Sequence, residues 1–292
     1  MIHVFHTRAE LHAWRAAQQG KSIGFVPTMG ALHAGHAKLL QESVKDNELT
    51  VLSVFVNPTQ FGPKEDLSKY PRTLASDIQI AETQGVDVVF APNVDELYPK
   101  GYSTYVTEEA VSQPLCGQSR PGHFRGVTTI VLKLFNLVEP TRSYFGLKDA
   151  QQFLVIQQMV KDLNLRVKVI GIPTVREESG LALSSRNVFL TEHDRTQRAP
   201  KIYEALSAVK YEIQTGTEPA IALANAKARL TAEGFEVQYL EVRSVPELGE
   251  NLASKELMVA VAAFLVGGDG GKIRLIDNVF FDNCPPIMLK SS

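Results

Sequence analysis

Apolar residues along the chain follow two rhythms. Short continuous runs at 23–26, 51–56, 86–90, 143–145 and 166–172 read as strands buried on both faces. Between them, apolar positions recur three and four apart. Leu39, Leu40 and Val44 do so after about Gly35, and Val127, Ile130, Val131, Leu134 and Leu137 within 126–138, with a further helix over 150–163. Thr7 and Glu10 make a capping box and Gly20 a stop for the first helix; Thr73 and Gly85 bracket another. Strand alternating with helix predicts an α/β fold, a parallel sheet covered by helices on both faces.

Beyond Arg176 the rhythm changes. Thr191 with Asp194 opens a helix to about Gln214, and Thr217 opens another ending at Gly234. Strands at 236–242, 256–265 and 272–277 then follow. Helices first and strands afterwards predict a smaller C-terminal α+β domain. The expected division is therefore 1–176 and 177–292. Residues 91–123 read as irregular, and the glycine cluster 267–271 as a hairpin loop.

Composition narrows the function classes. A chain of 292 residues, 44% hydrophobic and 21% charged, folds around a substantial core and is neither disordered nor fibrous. Thirty basic against 32 acidic side chains give a net charge of −2, so nothing drives it toward nucleic acid or anionic lipid. The strongest apolar run, 257–266, is about half the ~20 residues a membrane span needs, and the N-terminus lacks a signal-peptide stretch. A cytoplasmic protein without membrane attachment is expected. Cys116 and Cys284 offer neither a disulfide framework nor zinc spacing and read as reduced thiols.

The candidate chemistry sits after the strands. Pro27-Thr28-Met29-Gly30-Ala31-Leu32-His33-Ala34-Gly35-His36 leads from a strand into a helix, where free amides and the helix dipole favour phosphate. His33 and His36 share a helical face, and Gly35 lets a ligand approach the backbone. Surface histidines or a zinc half-site are the plainer alternatives. Phe145-Gly146-Leu147-Lys148-Asp149-Ala150-Gln151-Gln152 occupies a second strand-to-helix junction. There Lys148 can meet phosphate oxygens, Asp149 can cap the helix or bind a ribose hydroxyl, and Gln152 lies one turn on. Leu183-Ser184-Ser185-Arg186-Asn187 is a hydroxyl- and arginine-bearing loop suited to oxygen-rich anions, or a plain Ser-rich linker. Gln60 follows the second strand. Together these residues suit a nucleoside triphosphate and a small polar acid.

The same segments, with Phe55-Val56-Asn57-Pro58-Thr59-Gln60-Phe61, Tyr70-Pro71-Arg72-Thr73, Arg120-Pro121-Gly122-His123-Phe124-Arg125-Gly126 and Arg274-Leu275-Ile276-Asp277-Asn278, resemble those of the pantoate–β-alanine ligases over essentially the whole chain. His-x-Gly-His alone would indicate only the wider nucleotidylyltransferase superfamily. The resemblance implies a Rossmann-like N-terminal domain, a C-terminal lid and a homodimer. It also implies a two-step reaction: (R)-pantoate and ATP, with Mg²⁺, give pantoyl adenylate and pyrophosphate, and β-alanine then yields pantothenate and AMP. By position, Met29, Gly30, Ala31, Leu32, His33, Ala34, Gly35 and His36 would line the ATP site, with His36 the proton donor. Gly146, Leu147, Lys148, Asp149, Val175, Leu183, Ser184, Ser185 and Arg186 would also contact ATP. His33, His36, Lys148 and Arg186 would be catalytic, and Gln60 and Gln152 would hold pantoate. The chain departs from the family pattern at Cys116, Leu147 and Ala150, and in a longer glycine cluster and tail. A nucleotidylyltransferase making a dinucleotide-type product and a nucleotide-binding regulator on the same fold are the competing readings. The paired glutamines favour the ligase over the first, and isotope exchange between pyrophosphate and ATP, driven by pantoate alone, would exclude the second.

Overall fold

The computed structural model describes residues 2–62, 65, 67–254, 256–266 and 271–281. Cys284, the tail beyond residue 281 and most of the glycine cluster expected as a hairpin loop lie outside the described residues.

Six parallel strands form the larger sheet: β1 (His3–Phe5), β2 (Ile23–Thr28), β3 (Leu49–Val54), β4 (Val88–Phe90), β5 (Arg142–Gly146) and β6 (Lys168–Ile172), in the order β1-β4-β3-β2-β5-β6. The connecting helices are α1 (Arg8–Ala16), α2 (Ala34–Asp46), α3 (Leu74–Thr83), the short α4 (Val94–Leu97) and α5 (Cys116–Ser119), α6 (His123–Val138) and α7 (Ala150–Asp162). Phe25, Val51 and Val88 point to one face of the sheet, packing with Val131 and Leu134 of α6, while Val26, Leu52 and Val89 point to the other, with Leu39 and Leu40 of α2. Both faces are apolar, which is why these strands read as continuous rather than alternating runs.

Most expected elements form with shifted ends, and the capping box at Thr7 and Glu10 is present. Edge strand β1 was not anticipated. Three residues carry too little periodicity, and pairing with β4 creates the strand. The single helix expected from Thr191 is broken. A π-helical turn covers Asp194–Arg198 and α8 runs Lys201–Gln214, because Pro200 has no N–H to continue the ladder. Residues 91–123, expected to be irregular, contain α4 and α5. Helix α9 (Pro219–Ala232) starts at Pro219, two residues past Thr217.

The C-terminal elements end in an antiparallel sheet of β7 (Phe235–Ser244), β8 (Leu257–Val266) and β9 (Lys272–Phe280). One face packs on α8 and α9 through Leu206, Val209, Ala226 and Leu230. Val245, Leu248, Met258 and Ala260 instead join the core of the larger sheet. The two sheets thus share an apolar seam. The fold is a Rossmann-like α/β sheet with a smaller C-terminal α+β unit.

Candidate active site

Strand order reverses direction at β2, whose neighbours are β3 on one side and β5 on the other. In parallel sheets ligands bind beyond the strand ends at such a point. Here the loops leaving β2, β3, β5 and β6 open onto one cleft of about 250 Å³. Met29, His33, Gly35 and His36 reach it from the loop after β2, and Gln60 from the loop after β3. Gly146, Lys148, Asp149 and Gln152 follow β5, Val175 follows β6, and Leu183, Ser184, Ser185 and Arg186 close the far wall. Gly30, Ala31, Leu32, Ala34 and Leu147 do not line it, and Leu147 is buried.

The turn after β2 differs from expectation in one physical respect: most of its amides are engaged. Gly30 N–H donates to Thr28 Oγ1 (3.2 Å), and the Ala31 and Leu32 N–H groups donate to the two carboxylate oxygens of buried Asp77 (3.1 and 2.8 Å). Asp77, on α3, holds Ala31 at a φ of 51°, left-handed backbone that a residue with a Cβ seldom adopts. His33 N–H donates to His36 Nδ1 (3.3 Å), and Gly35 N–H to His33 Nδ1 (3.1 Å). Anion recognition therefore falls to side chains more than to a cradle of amides.

Those two bonds also fix the imidazoles. Each Nδ1 accepts, so each ring carries its proton on Nε2. The ring centroids are 4.1 Å apart. Burial and then the Lys148 ammonium hold His33 down at about 4, and burial, then His33 and Lys148, hold His36 at about 3. Both are neutral hydrogen-bond donors at pH 7. A methyl at Gly35 would lie 2.8 Å from His33 Cε1, so the missing side chain makes room for the His33 ring while Gly35 still lines the cleft.

Lys148 is largely withdrawn from solvent at the cleft. It is 19% exposed and 3.9 Å from the Asp149 carboxylate, which is 47% exposed. Asp149 makes no capping bond to α7, which removes one of its two sequence-level readings. Of the adjacent glutamines only Gln152 faces the cleft. Gln151 is buried, accepting from Cys116 N–H and donating to the Val111 and Pro114 carbonyls. Ser185 Oγ donates to Ala31 O (3.2 Å), tying the far wall to the β2 turn.

Gln60 is the most elaborately held residue. Its Oε1 accepts from Asn57 Nδ2 (3.0 Å), which also donates to Gly126 O (3.2 Å), and its Nε2 lies 3.1 Å from Met29 Sδ. Its main-chain oxygen accepts from His123 Nδ1 (2.9 Å) and Arg120 Nη2 (3.4 Å). Glu65 accepts from Arg120 Nε and Nη2 (2.7 and 2.6 Å), and Arg120 Nη1 donates to His123 Nε2 (3.1 Å). Burial, then Arg120, holds His123 down at about 4. The sequence reading gave Asn57, Asp77, Arg120 and His123 no part in the site. The motif around Arg120 was the available signal, but no spacing links it to Gln60.

Three depressed histidines make stability pH-dependent. Above pH 6.5 folded and unfolded chains both hold neutral imidazoles. As the pH falls from about 6.5 toward 4, the unfolded chain takes up protons that the folded chain refuses, so stability is lost. The urea midpoint is expected to be lower at pH 5 than at pH 7.5, with a smaller difference in His123→Gln. An equal difference in that variant would show that His123 titrates normally.

Among the described residues, no group of three His, Cys, Asp or Glu side chains is placed to hold a metal ion. Asp149 is, among the described residues, the only carboxylate lining the cleft. That donor set fits a Mg²⁺ arriving on a triphosphate, which keeps mostly phosphate and water ligands.

Known proteins resemble the chain throughout its length. The family model described as Pantoate-beta-alanine ligase matches residues 3–280. A pantothenate synthetase of Shewanella amazonensis is 50% identical over 277 residues, 94% of this chain and 96% of that one. One from Fervidobacterium nodosum is 47% identical, covering 92% and 94%. The crystal structure of pantothenate synthetase from Thermus thermophilus superposes with a TM-score of 0.84 at 44% identity, covering 95% of this chain and 99% of that one. A pantoate-beta-alanine ligase from Francisella tularensis, complexed with beta-gamma ATP and beta-alanine, gives 0.82 at 36% identity, covering 98% and 100%. With the strand-end cleft and its motifs in place, these matches make the chain a member of the pantoate–β-alanine ligase family.

Proposed function

We infer that the protein is an ATP-dependent ligase that joins (R)-pantoate to β-alanine through pantoyl adenylate, releasing pyrophosphate and AMP. The observation that carries this reading is the convergence of His33, His36, Gln60, Lys148, Gln152 and Arg186 on one cleft. A carboxylate attacking a polyphosphate meets like charge, and negative charge then builds on the α-phosphoryl oxygens and departing pyrophosphate. Fixed donors and cations in a partly enclosed cleft answer that problem without reorganising.

In this scheme Lys148 and Arg186 supply the positive charge, and the Nε2–H groups of His33 and His36 donate to phosphate oxygens. Before ATP binds, burial, His33 and Lys148 hold His36 neutral, so it meets the phosphates as an Nε2–H donor, and the proton-donor role implied by the family would use the charge of the bound triphosphate to raise its basicity. Gln60 and Gln152 orient pantoate, with Gln60 also bordering the β-alanine position. Asp149 takes a ribose hydroxyl. Mg²⁺, bound to ATP as substrate, neutralises phosphate charge. Residues 1–176 form the ATP- and pantoate-binding unit and 177–292 the unit that covers it, keeping water from an acyl adenylate prone to hydrolysis. We also propose the homodimer and a cytoplasmic location. Light scattering at twice the 32.2 kDa chain mass would test the first; no helix among the described residues is long and apolar enough to cross a membrane.

The assay is direct. Pantoate alone should drive isotope exchange between pyrophosphate and ATP, and net AMP should require both pantoate and β-alanine. AMP formation independent of either substrate would overturn the ligase reading.

The second step has a pH signature. The histidines lining the cleft already use their unprotonated nitrogen as an acceptor, Nδ1 in His33 and His36 and Nε2 in His123, so none is free to take the ammonium proton, and β-alanine enters with its amine unprotonated. Then kcat/KM for β-alanine rises about tenfold per pH unit between 6.5 and 9, below an amine pKa of about 10. A flat profile would instead identify a general base.

A further inference from the structure

One motif has no place in the mechanism above: Arg274-Leu275-Ile276-Asp277-Asn278, on β9. Asp277 and Asn278 are almost fully buried, 5% and 6% exposed, and they engage opposite sides of the cleft. Asn278 Nδ2 donates to the main-chain carbonyls of both Leu147 and Lys148, each at 2.9 Å. Asp277 receives a two-pronged bond from Arg176, with Nη1 to Oδ2 at 2.5 Å and Nη2 to Oδ1 at 2.9 Å. Arg176 Nη1 also donates to Gly180 O (3.1 Å), and its guanidinium lies 3.8 Å from the Tyr203 ring centroid. Arg176 opens a small hairpin in which Glu177 N–H donates to Leu181 O, and Leu183 N–H donates to Val175 O. That hairpin delivers Ser184, Ser185 and Arg186. A single dipeptide of the C-terminal sheet is therefore bonded to the backbone carrying Lys148 and, through Arg176, to the segment carrying Arg186.

We propose that Asn278 is a positioning residue for adenylate formation: by binding the Leu147 and Lys148 carbonyls from β9, it sets where the Lys148 ammonium stands relative to Arg186. The chemistry is specific to an amide. Two carbonyl oxygens converge on one Nδ2, whose two hydrogens satisfy both. An isosteric carboxylate offers no hydrogen and faces both oxygens with negative charge. The adjacent Asp277 pair fixes the strand from which the amide reaches, and Asn278 N–H itself donates to Asp277 Oδ1 (2.8 Å).

The proposal rests on Lys148 serving the ATP phosphates, and the test separates the two ideas. Pantoate-dependent pyrophosphate–ATP exchange is measured for wild type, Asn278→Asp, Asn278→Ser, Lys148→Ala and the double variants, per active site counted by the pyrophosphate burst. Asn278→Asp is expected to lower kcat about 100-fold, the scale of a 1 Å misplacement, with KM for ATP within a few-fold of wild type. Asn278→Ser, which keeps one donor and no charge, loses less. If Asn278 acts through Lys148, each double variant is no slower than Lys148→Ala alone, to within about threefold. Losses that multiply in the double variants, or full exchange per active site in a folded Asn278→Asp and Asn278→Ser, would overturn the positioning role. Should Asn278→Asp not fold, the Asn278→Ser cycle decides by the same criterion. Full exchange in Lys148→Ala by itself would instead overturn the assignment of Lys148.

Discussion

Lys148→Ala is expected to lower pantoate-dependent pyrophosphate–ATP exchange by about 10²–10³-fold, equivalent to roughly 3–4 kcal/mol of transition-state stabilisation. Lys148 stands at the cleft between the β2 turn and the first turn of α7, with 19% of its side chain exposed. Its charge reaches both histidines, helping to hold each below its ordinary pKa. In this low-dielectric position an ammonium aimed at developing negative charge is worth far more than on an open surface. Its ion pair with half-exposed Asp149, at 3.9 Å, contributes little to the fold. Rate and stability should therefore separate, with exchange collapsing while the unfolding free energy measured in urea stays within about 0.5 kcal/mol of wild type. A variant that keeps its exchange rate would place Lys148 outside the chemistry. Removing this cation should also make His33 and His36 easier to protonate, visible as an upward shift of their titrations by NMR.

Gly126→Ala should be nearly as damaging although residue 126 touches no substrate in this scheme. Helix α6 passes so close to the loop after β3 that an added Cβ would lie 2.5 Å from Thr59 O and 2.7 Å from Gln60 Cα. The obstruction is backbone, so no side-chain rotation relieves it. Either the helix or the loop must move, and the loop carries Gln60, whose place is also set by Asn57, Arg120 and His123. A shift near 1 Å costs about 100-fold in kcat/KM for pantoate, with an overpacking loss of about 1–3 kcal/mol in stability. Wild-type pantoate dependence in a folded Gly126→Ala would mean that Gln60 tolerates displacement and does not orient the acid.

How much of this was legible beforehand varies by element. Strands β2 to β6 were legible because their residues are apolar on both faces; β1 was not, since three residues gain strand character only by pairing with β4. Helix α8 showed its stripe and the capping pair at Thr191 and Asp194 forms, but the reading ran one helix through the interruption that Pro200 imposes before Lys201. Within the site, His33, His36, Gln60, Lys148, Gln152, Ser185 and Arg186 were all named as strand-end residues and all reach the cleft. Asp77 was not, because a carboxylate 46 positions from Ala31 leaves no local trace of the amides it binds.

Local patterning and turn chemistry along the chain were enough to give the alternation of strand and helix, the smaller α+β unit and the motifs of a pantoate–β-alanine ligase. These depend on residues a few positions apart, whose periodicity and caps act within one element. Only the tertiary structure decided that the amides of the β2 turn are spent on Asp77, that the histidines are neutral and carry their protons on Nε2, and that Arg120, His123 and Gly126 stand around Gln60. It also decided that Asn278 braces Lys148 from the other sheet. Hydrogen-bond partners and desolvation are set by groups brought together from distant parts of the chain, and no periodicity encodes which buried donor meets which buried acceptor.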